Sequence, residues 1–521
     1  MKDRAAGVLL ILLVLVACTR DRAPVPPQAL PKAATLYAQH CAACHGTDRA
    51  GVTGPALLPE SLRRLKPAKT RAVIAEGRPA TQMPGFGAQL DAAAIERLTA
   101  YLYAAPATPP SWNVGKVRAS HVTYGTPPTQ ARIDYVEDPR NLFVVVETGD
   151  HHVTLLDGDH MRPVTRFATR FALHGGPKFS PDGRYVYFAS RDGWISKYDL
   201  ATRRMTAEIR AGINTRNIAL SHDGRVVLAA NYLPRTLVVL NAADLSLRQV
   251  IPVTGRDGTR SRVSAVYQAA PRQSFVVALK DVPELWELPV PDGATQPLYQ
   301  LAPPNESLRR AVPAVEVRRI ALKGVLDDFF FTPDYRYVIG AARAAGAGRV
   351  IDLQAGRTVT DIAVAGMPHL GSGITWMRDG RRVMATPNLK RNAITVIALD
   401  TWEVVADIET AGPGFFLRSH EQSRYAWADV FFGPHRDVMH VIDKQKLEIV
   451  KTLRPAPGKT AAHAEFDRDG RHVLVSIWAD DGAVVVYDAQ TLEEVERLPM
   501  RRPSGKYNLH NKLTLSEGTS H

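Results

Sequence analysis

The sequence predicts a small all-α domain followed by an all-β propeller of eight blades, and three observations carry that prediction. The chain has 521 residues, too many for one ordinary hydrophobic core. From Asp91 to Tyr103 apolar residues recur at helical spacing, as in the closing helix of a compact helical domain. Beyond residue 118 one turn pattern returns at intervals in the forties, between short runs of strand-like composition.

Taken in chain order, the first segment reads as a targeting signal. Lys2 and Arg4 precede an apolar run from Gly7 to Ala17, which is too short to span a bilayer and fits the hydrophobic part of a signal peptide, residues 1–17. The run ends Leu15-Val16-Ala17-Cys18, the pattern at which bacterial lipoproteins are cleaved and the new terminal cysteine acylated. Cys18 is therefore the expected lipidation site. The expected location is the periplasm, with the protein anchored to the membrane through a Pro-rich tether over 18–32.

With Cys18 assigned to the lipid, only Cys41 and Cys44 remain of three cysteines, which excludes a disulfide framework. Cys41-Ala42-Ala43-Cys44-His45 is the pattern of covalent haem attachment, in which two thioethers fix the porphyrin and the adjacent His45 is presented to the iron. A sixth ligand is expected from a loop some tens of residues on. Met83, beside Pro84 and Gly85, suits that place, and His40 is the competing candidate. Residues 33–105 resemble a class I cytochrome c with one covalent haem c. Pro106, Pro109 and Pro110 then mark a linker over 106–118.

The remainder, 119–521, repeats itself. Ser180-Pro181-Asp182-Gly183-Arg184 recurs as Ser221-His222-Asp223-Gly224-Arg225, Thr332-Pro333-Asp334-Tyr335-Arg336, Met377-Arg378-Asp379-Gly380-Arg381 and Asp467-Arg468-Asp469-Gly470-Arg471. Weaker copies at Arg140, Arg272 and Gln422 bring the turns to eight, one for each four-stranded blade of an eight-bladed β-propeller. The longest interval holds an insertion, Pro303 to Val315. Within one blade the strands read as 176–180, 185–190, 194–200 and 205–211. The first strand of each blade lines the central channel, so the residues just before it share one rim. Blade by blade these are His174, Arg216, Asp327 with Asp328, His369 and His463. Core packing would not choose such residues, and their recurrence at equivalent positions marks a candidate site.

These residues resemble the cytochrome cd1 family, which joins a cytochrome c domain to an eight-bladed propeller that binds haem d1. The resemblance covers nearly the whole chain after the signal. It is carried by Phe171-Ala172-Leu173-His174, Arg191-Asp192-Gly193, Gly212-Ile213-Asn214-Thr215-Arg216, Met367-Pro368-His369 and the tail Ser504-Gly505-Lys506-Tyr507-Asn508. The nitrite reductases of the family use two distal histidines. His369 matches one, but the other position reads Val325-Leu326-Asp327-Asp328. The departure favours the biosynthetic branch, dihydro-haem d1 dehydrogenase. The resemblance then implies oxidation of a propionate side chain of the bound tetrapyrrole to an acrylate, with electrons leaving through haem c.

On that reading His463 or Tyr507 is the proton acceptor, Arg191 and Arg216 hold substrate carboxylates, and His369 and His174 are candidate iron ligands. Expected partners are dihydro-haem d1, nitrite reductase or other proteins of haem d1 biosynthesis, and a periplasmic electron acceptor. A haem d1 carrier or assembly protein and a nitrite reductase are the alternative functions. The net charge of +13 attracts anions, but its basic residues are spread through the repeats rather than gathered in runs, so a nucleic-acid partner is not expected.

Overall fold

The computed structural model describes residues 29–52, 54–63, 65–78, 83–125, 127–290, 316–341 and 347–514. The expected lipidation site Cys18 and the insertion from Pro303 to Val315 lie outside the described residues. No helix among the described residues is long and apolar enough to cross a membrane.

Among the described residues five helices build the N-terminal domain: α1 (Ala29–His40), α2 (Ala42–His45), α3 (Pro59–Leu62), α4 (Pro67–Glu76) and α5 (Ala92–Tyr103). Proline opens α3 and α4, where its missing N–H costs nothing. Asp91 caps α5 by accepting from Ala94 N at 2.6 Å. The apolar stripe of α5, Ile95, Leu98 and Leu102, buries against Tyr37 of α1 and Ile74 of α4. Arg49, just past the Cys-x-x-Cys-His segment, donates to Tyr101 O and Ala104 O at the end of α5, tying that segment to the closing helix. The stretch expected as a tether already turns helical at residue 29. The expected linker is structured as well. It carries α6 (Val114–Ala119), whose Val117 is buried on blade two, and is followed by a short strand, Val122–Thr123, added to that blade's edge.

Among the described residues the rest forms eight antiparallel sheets, each of four strands except blade two, which has five. The repeated turn explains itself chemically. Asp182 accepts from Arg184 N, Gly183 takes φ +73°, a region open to glycine, and Arg184 pairs with Asp199 at 3.0 Å. Blade five reproduces it with Asp334 and with Arg336 paired to Asp352, Tyr335 taking φ +55° in the glycine's place.

The tail is part of the propeller itself: Pro503–Asn508 is the innermost strand of blade one, paired with Leu142–Glu147. Blade one has strands from both ends of the chain, so the ring is closed by hydrogen bonds between residues over 350 positions apart, among them Ser504 Oγ to Val146 O. This closes the ring of blades, each of which keeps one outer edge strand. The chain then continues as α7 (Leu509–Thr514), at the turn end of the inner strands, where Asn511 donates to Phe466 O of blade eight.

The two domains meet at Arg210, only 3% exposed, at the end of blade two's strand Arg204–Arg210. Its guanidinium donates to Ala50 O and Gly51 O, a few residues past His45, and to Asp192 O of the propeller, and it stacks 4.6 Å from the Trp112 ring. The haem-attachment segment thus rests on the blade that carries His174 and Arg191.

Candidate functional site

The first site is local. The short helix α2 holds Ala42–His45, with Cys41 preceding it and Cys44 within it. His45 is 7% exposed, and its Nδ1 donates to Pro55 O at 2.8 Å, which leaves the lone pair on Nε2. Burial lowers its pKa, so the imidazole is in its neutral, metal-binding form. Gly54 lies against the ring, where a Cβ would come within 2.7 Å of His45 Cε1. Cys41 and Cys44 are both free thiols. Two thiols three residues apart and one oriented imidazole fit a covalent c-type haem. Met83, half-buried, sits in a non-helical loop as expected, its carbonyl accepting from Arg78 N at 3.1 Å. His40 ends α1 with its ring edge-on to Phe86.

The second site is assembled across the propeller rim. On blades two and three, His174 Nδ1 donates to Arg216 O at 2.7 Å while Nε2 faces Arg191 Nη2 at 2.7 Å. Arg216 itself donates to Ser264 O of blade four. On blade five, Asp327 forms an ion pair with Lys280, and Asp328 accepts from Tyr267 OH at 2.9 Å. His369, before the inner strand of blade six, donates from Nδ1 to Phe415 O at 2.7 Å, and its Nε2 stands 3.8 Å from Asp328 Oδ2. Burial lowers the His369 pKa against the opposing pull of Asp328, and Arg216 also acts on it, so blades three, five and six face one mouth.

His463 lies within the inner strand of blade eight, Ala461–Phe466, and is 2% exposed. Its Nε2 is buried without a hydrogen-bond partner. The Lys506 N–H approaches Nδ1 at 3.5 Å, the outer edge of hydrogen bonding, so neither tautomer is locked. Burial first, then Lys506, Arg418 and Lys512, hold the His463 pKa well below its usual value, and the ring is neutral. The rings of Phe416 and Tyr507 meet it edge-on at 4.7 and 5.3 Å. Burial pushes the Tyr507 hydroxyl up to about 12, so it is a protonated donor at neutral pH.

Sequence reasoning brought His174, Arg191, Arg216, His369, His463 and Tyr507 to this rim but missed what lies between blades six and eight. The Phe415 ring lies tilted 4.1 Å from His369 and edge-on 4.6 Å from Phe416, which reaches His463, so an aromatic wall joins the two histidines. Asp429 and Arg418 of blade seven were also missed. Arg418 is 3% exposed and its buried Nε has no partner. The signal was faint because the turn of blade seven, at Gln422, lacks the Asp-Gly pair that anchors the register in blades two, three, six and eight.

Comparison with known proteins agrees with this geometry. The cytochrome D1 heme domain profile matches residues 137–302 and 309–512, and the profile of cytochrome c oxidase, cbb3-type, subunit III matches residues 28–102. A dihydro-heme d1 dehydrogenase of Pseudomonas aeruginosa is 58% identical over 93% of this chain and 95% of its own. A nitrite reductase of Stutzerimonas stutzeri is 24% identical over 92% of each chain. The solved structure of dihydro-heme d1 dehydrogenase NirN in complex with DHE superposes with a TM-score of 0.86 at 57% identity, covering 92% of this chain and 99% of that one. With a propeller of this build, a rim of this composition and these relatives, the chain belongs to the cytochrome d1 haem-domain family, alongside the dihydro-heme d1 dehydrogenase.

Proposed function

We propose that this protein is an oxidoreductase that converts dihydro-haem d1 to haem d1 by dehydrogenating one propionate side chain to an acrylate. The carrying observation is the buried, neutral His463, whose Nε2 has no protein partner and stands beside Tyr507. A buried polar atom left unpaired costs on the order of 1–3 kcal/mol, and a ligand that engages it recovers that cost. The 58% identity with a dihydro-heme d1 dehydrogenase supports the same reading.

The reaction removes one hydrogen from each of two adjacent carbons, as two protons and two electrons. One proton goes to the unprotonated ring nitrogen of His463, with the Tyr507 hydroxyl beside it, the second goes to solvent, and the two electrons leave one at a time towards the periplasmic acceptor. Uptake is opposed by Arg418 and Lys506, so substrate carboxylates entering the mouth favour it by offsetting those cations. Arg191 and Arg216 bind carboxylates, for which their planar donor pairs are shaped. His369 is the ligand best prepared for the substrate's iron, because Nδ1–H donating to Phe415 O turns the Nε2 lone pair outward. His174 is the second candidate. Cys41, Cys44, His45 and Met83 would hold a covalent haem c, which would supply one-electron acceptance.

Cys18 acylation and anchoring on the periplasmic side belong to the same reading, with a periplasmic electron acceptor and a nitrite reductase or other haem d1 biosynthesis protein as partners. Against nitrite reduction stands blade five, which presents Asp327, paired with Lys280, and Asp328, 3.8 Å from His369 Nε2, at the place of the second distal histidine. Incubating the purified protein with dihydro-haem d1 tests the function directly. Loss of two mass units from the tetrapyrrole is the expected result, and binding without a mass change would identify a carrier.

A further inference from the structure

The backbone of His463 is held in an unusual way. Blade eight pairs Ala462 with Ser476 and then Glu465 with Leu474, so one extra residue sits on the inner strand and the ladder breaks at the histidine. His463 takes φ +52°, a left-handed conformation that costs a non-glycine residue on the order of 1–3 kcal/mol and persists only where neighbours impose it. With the ladder broken, its peptide groups need other partners. Asp429 Oδ2, from the second strand of blade seven, accepts from His463 N at 3.3 Å, and Lys506 Nζ, from the tail strand of blade one, donates to His463 O. Both partners are anchored in turn. Asp429 Oδ1 accepts from Phe415 N at 2.8 Å and Phe416 N at 3.0 Å, and Lys506 Nζ also donates to Ser476 Oγ at 2.7 Å.

We infer that Asp429 and Lys506 form a clamp that aims His463 into the site: two positioning residues from the flanking blades that replace the missing ladder bonds at either side of the left-handed residue. The same Asp429 carboxylate fixes Phe415 and Phe416, so one side chain sets the aromatic wall and the histidine in a common frame. The physical stake is large, since a misplacement of about 1 Å at a reacting group can cost on the order of 10²-fold in rate. Neither clamp residue needs to touch substrate. The inference rests on His463 as proton acceptor.

The test compares Asp429→Asn and Lys506→Arg, each alone and combined with His463→Ala, by turnover, by absorbance titration of dihydro-haem d1 binding and by Tm. Asn places a donor where His463 N–H needs an acceptor, while Arg keeps the charge but moves the donor. Each single variant is expected to lower kcat about 10- to 100-fold while the substrate Kd stays within about threefold, and to cost nothing further once His463 is absent. Wild-type kcat in both variants would overturn the clamp, and so would an equal further loss in the His463→Ala background, which marks a general structural role. Should Asp429→Asn fail to fold, the Lys506→Arg pair decides alone by the same criteria. If His463→Ala itself turns over at the wild-type rate, it is the acceptor assignment that falls, and the clamp with it.

Discussion

The two sides of the channel mouth treat their histidines in opposite ways. On blades two and three, His174 has both ring nitrogens engaged, Nδ1 by Arg216 O and Nε2 by Arg191, within a cationic group suited to carboxylates. On blades six to eight, His369 and His463 lie along an aromatic wall, with the first ring's Nε2 only loosely near Asp328 and the second's without any partner. A histidine whose hydrogen bonds are complete costs little to keep and gains little by reacting. One with an unpaired buried nitrogen gains by both. On the proposed function the first side holds the substrate's carboxylates, and the second provides the iron ligand and the proton acceptor.

The largest expected effect breaks the comparison if it fails. His463→Ala combined with Tyr507→Phe should lower turnover by on the order of 10²–10⁴ while dihydro-haem d1 still binds, as an absorbance titration will show. Wild-type turnover in that double variant would move the acceptor to the Asp328 side of the mouth. Next in size, His369→Ala should change the Soret and long-wavelength bands of the bound tetrapyrrole and weaken its binding, because it removes the ligand with the outward lone pair. If His174→Ala shifts those bands and His369→Ala leaves them alone, the two sides exchange roles.

A smaller effect is expected from Arg191→Ala, which should weaken substrate binding about 10-fold, the worth of one charge-assisted contact of about 1.5 kcal/mol, with kcat little changed. That variant also uncovers His174 Nε2, so a new ligand band appearing in it would show that Arg191 normally withholds this histidine from iron. The smallest effect is a pH dependence. Burial raises the Asp429 carboxyl to about 6, against the favourable amides of Phe415, Phe416 and His463 and the charge of Arg418. As pH falls through about 6 the carboxyl gains a proton and one oxygen stops accepting, so turnover should decline on the acid side. For stability the sign is the reverse. A carboxyl with a raised native pKa stabilises the fold at pH values below its unfolded pKa, and that contribution is lost as pH rises through about 6. Asp429→Asn should remove the acid limb; a limb of the same midpoint in the variant would assign it elsewhere.

Much of this was legible in the amino-acid order because it depends on neighbours in the chain. The haem-attachment segment is five consecutive residues, α5 is a periodicity with Asp91 at its start, and the turns of blades two, three and five are an Asp side chain bonding two residues on. Regular repeats also placed His174, Arg216, His369 and His463 near the inner strands of their blades, although Arg216 and His463 lie within the strand rather than before it as expected. Blade seven stayed faint for want of an Asp-Gly turn, and with it Phe415, Phe416, Arg418 and Asp429.

Only the tertiary structure decided the rest, for one physical reason: it depends on groups that meet from distant parts of the chain. That the tail is the inner strand of blade one follows from pairing residues more than 350 positions apart, which no local pattern records. That His174 is saturated and His463 is not depends on which carbonyl, guanidinium or amide lies opposite each ring. The left-handed turn at His463 is invisible in the order Ala462-His463-Ala464, because nothing there favours it; it exists because a carboxylate from blade seven and an amine from blade one stand where the sheet's own bonds are missing.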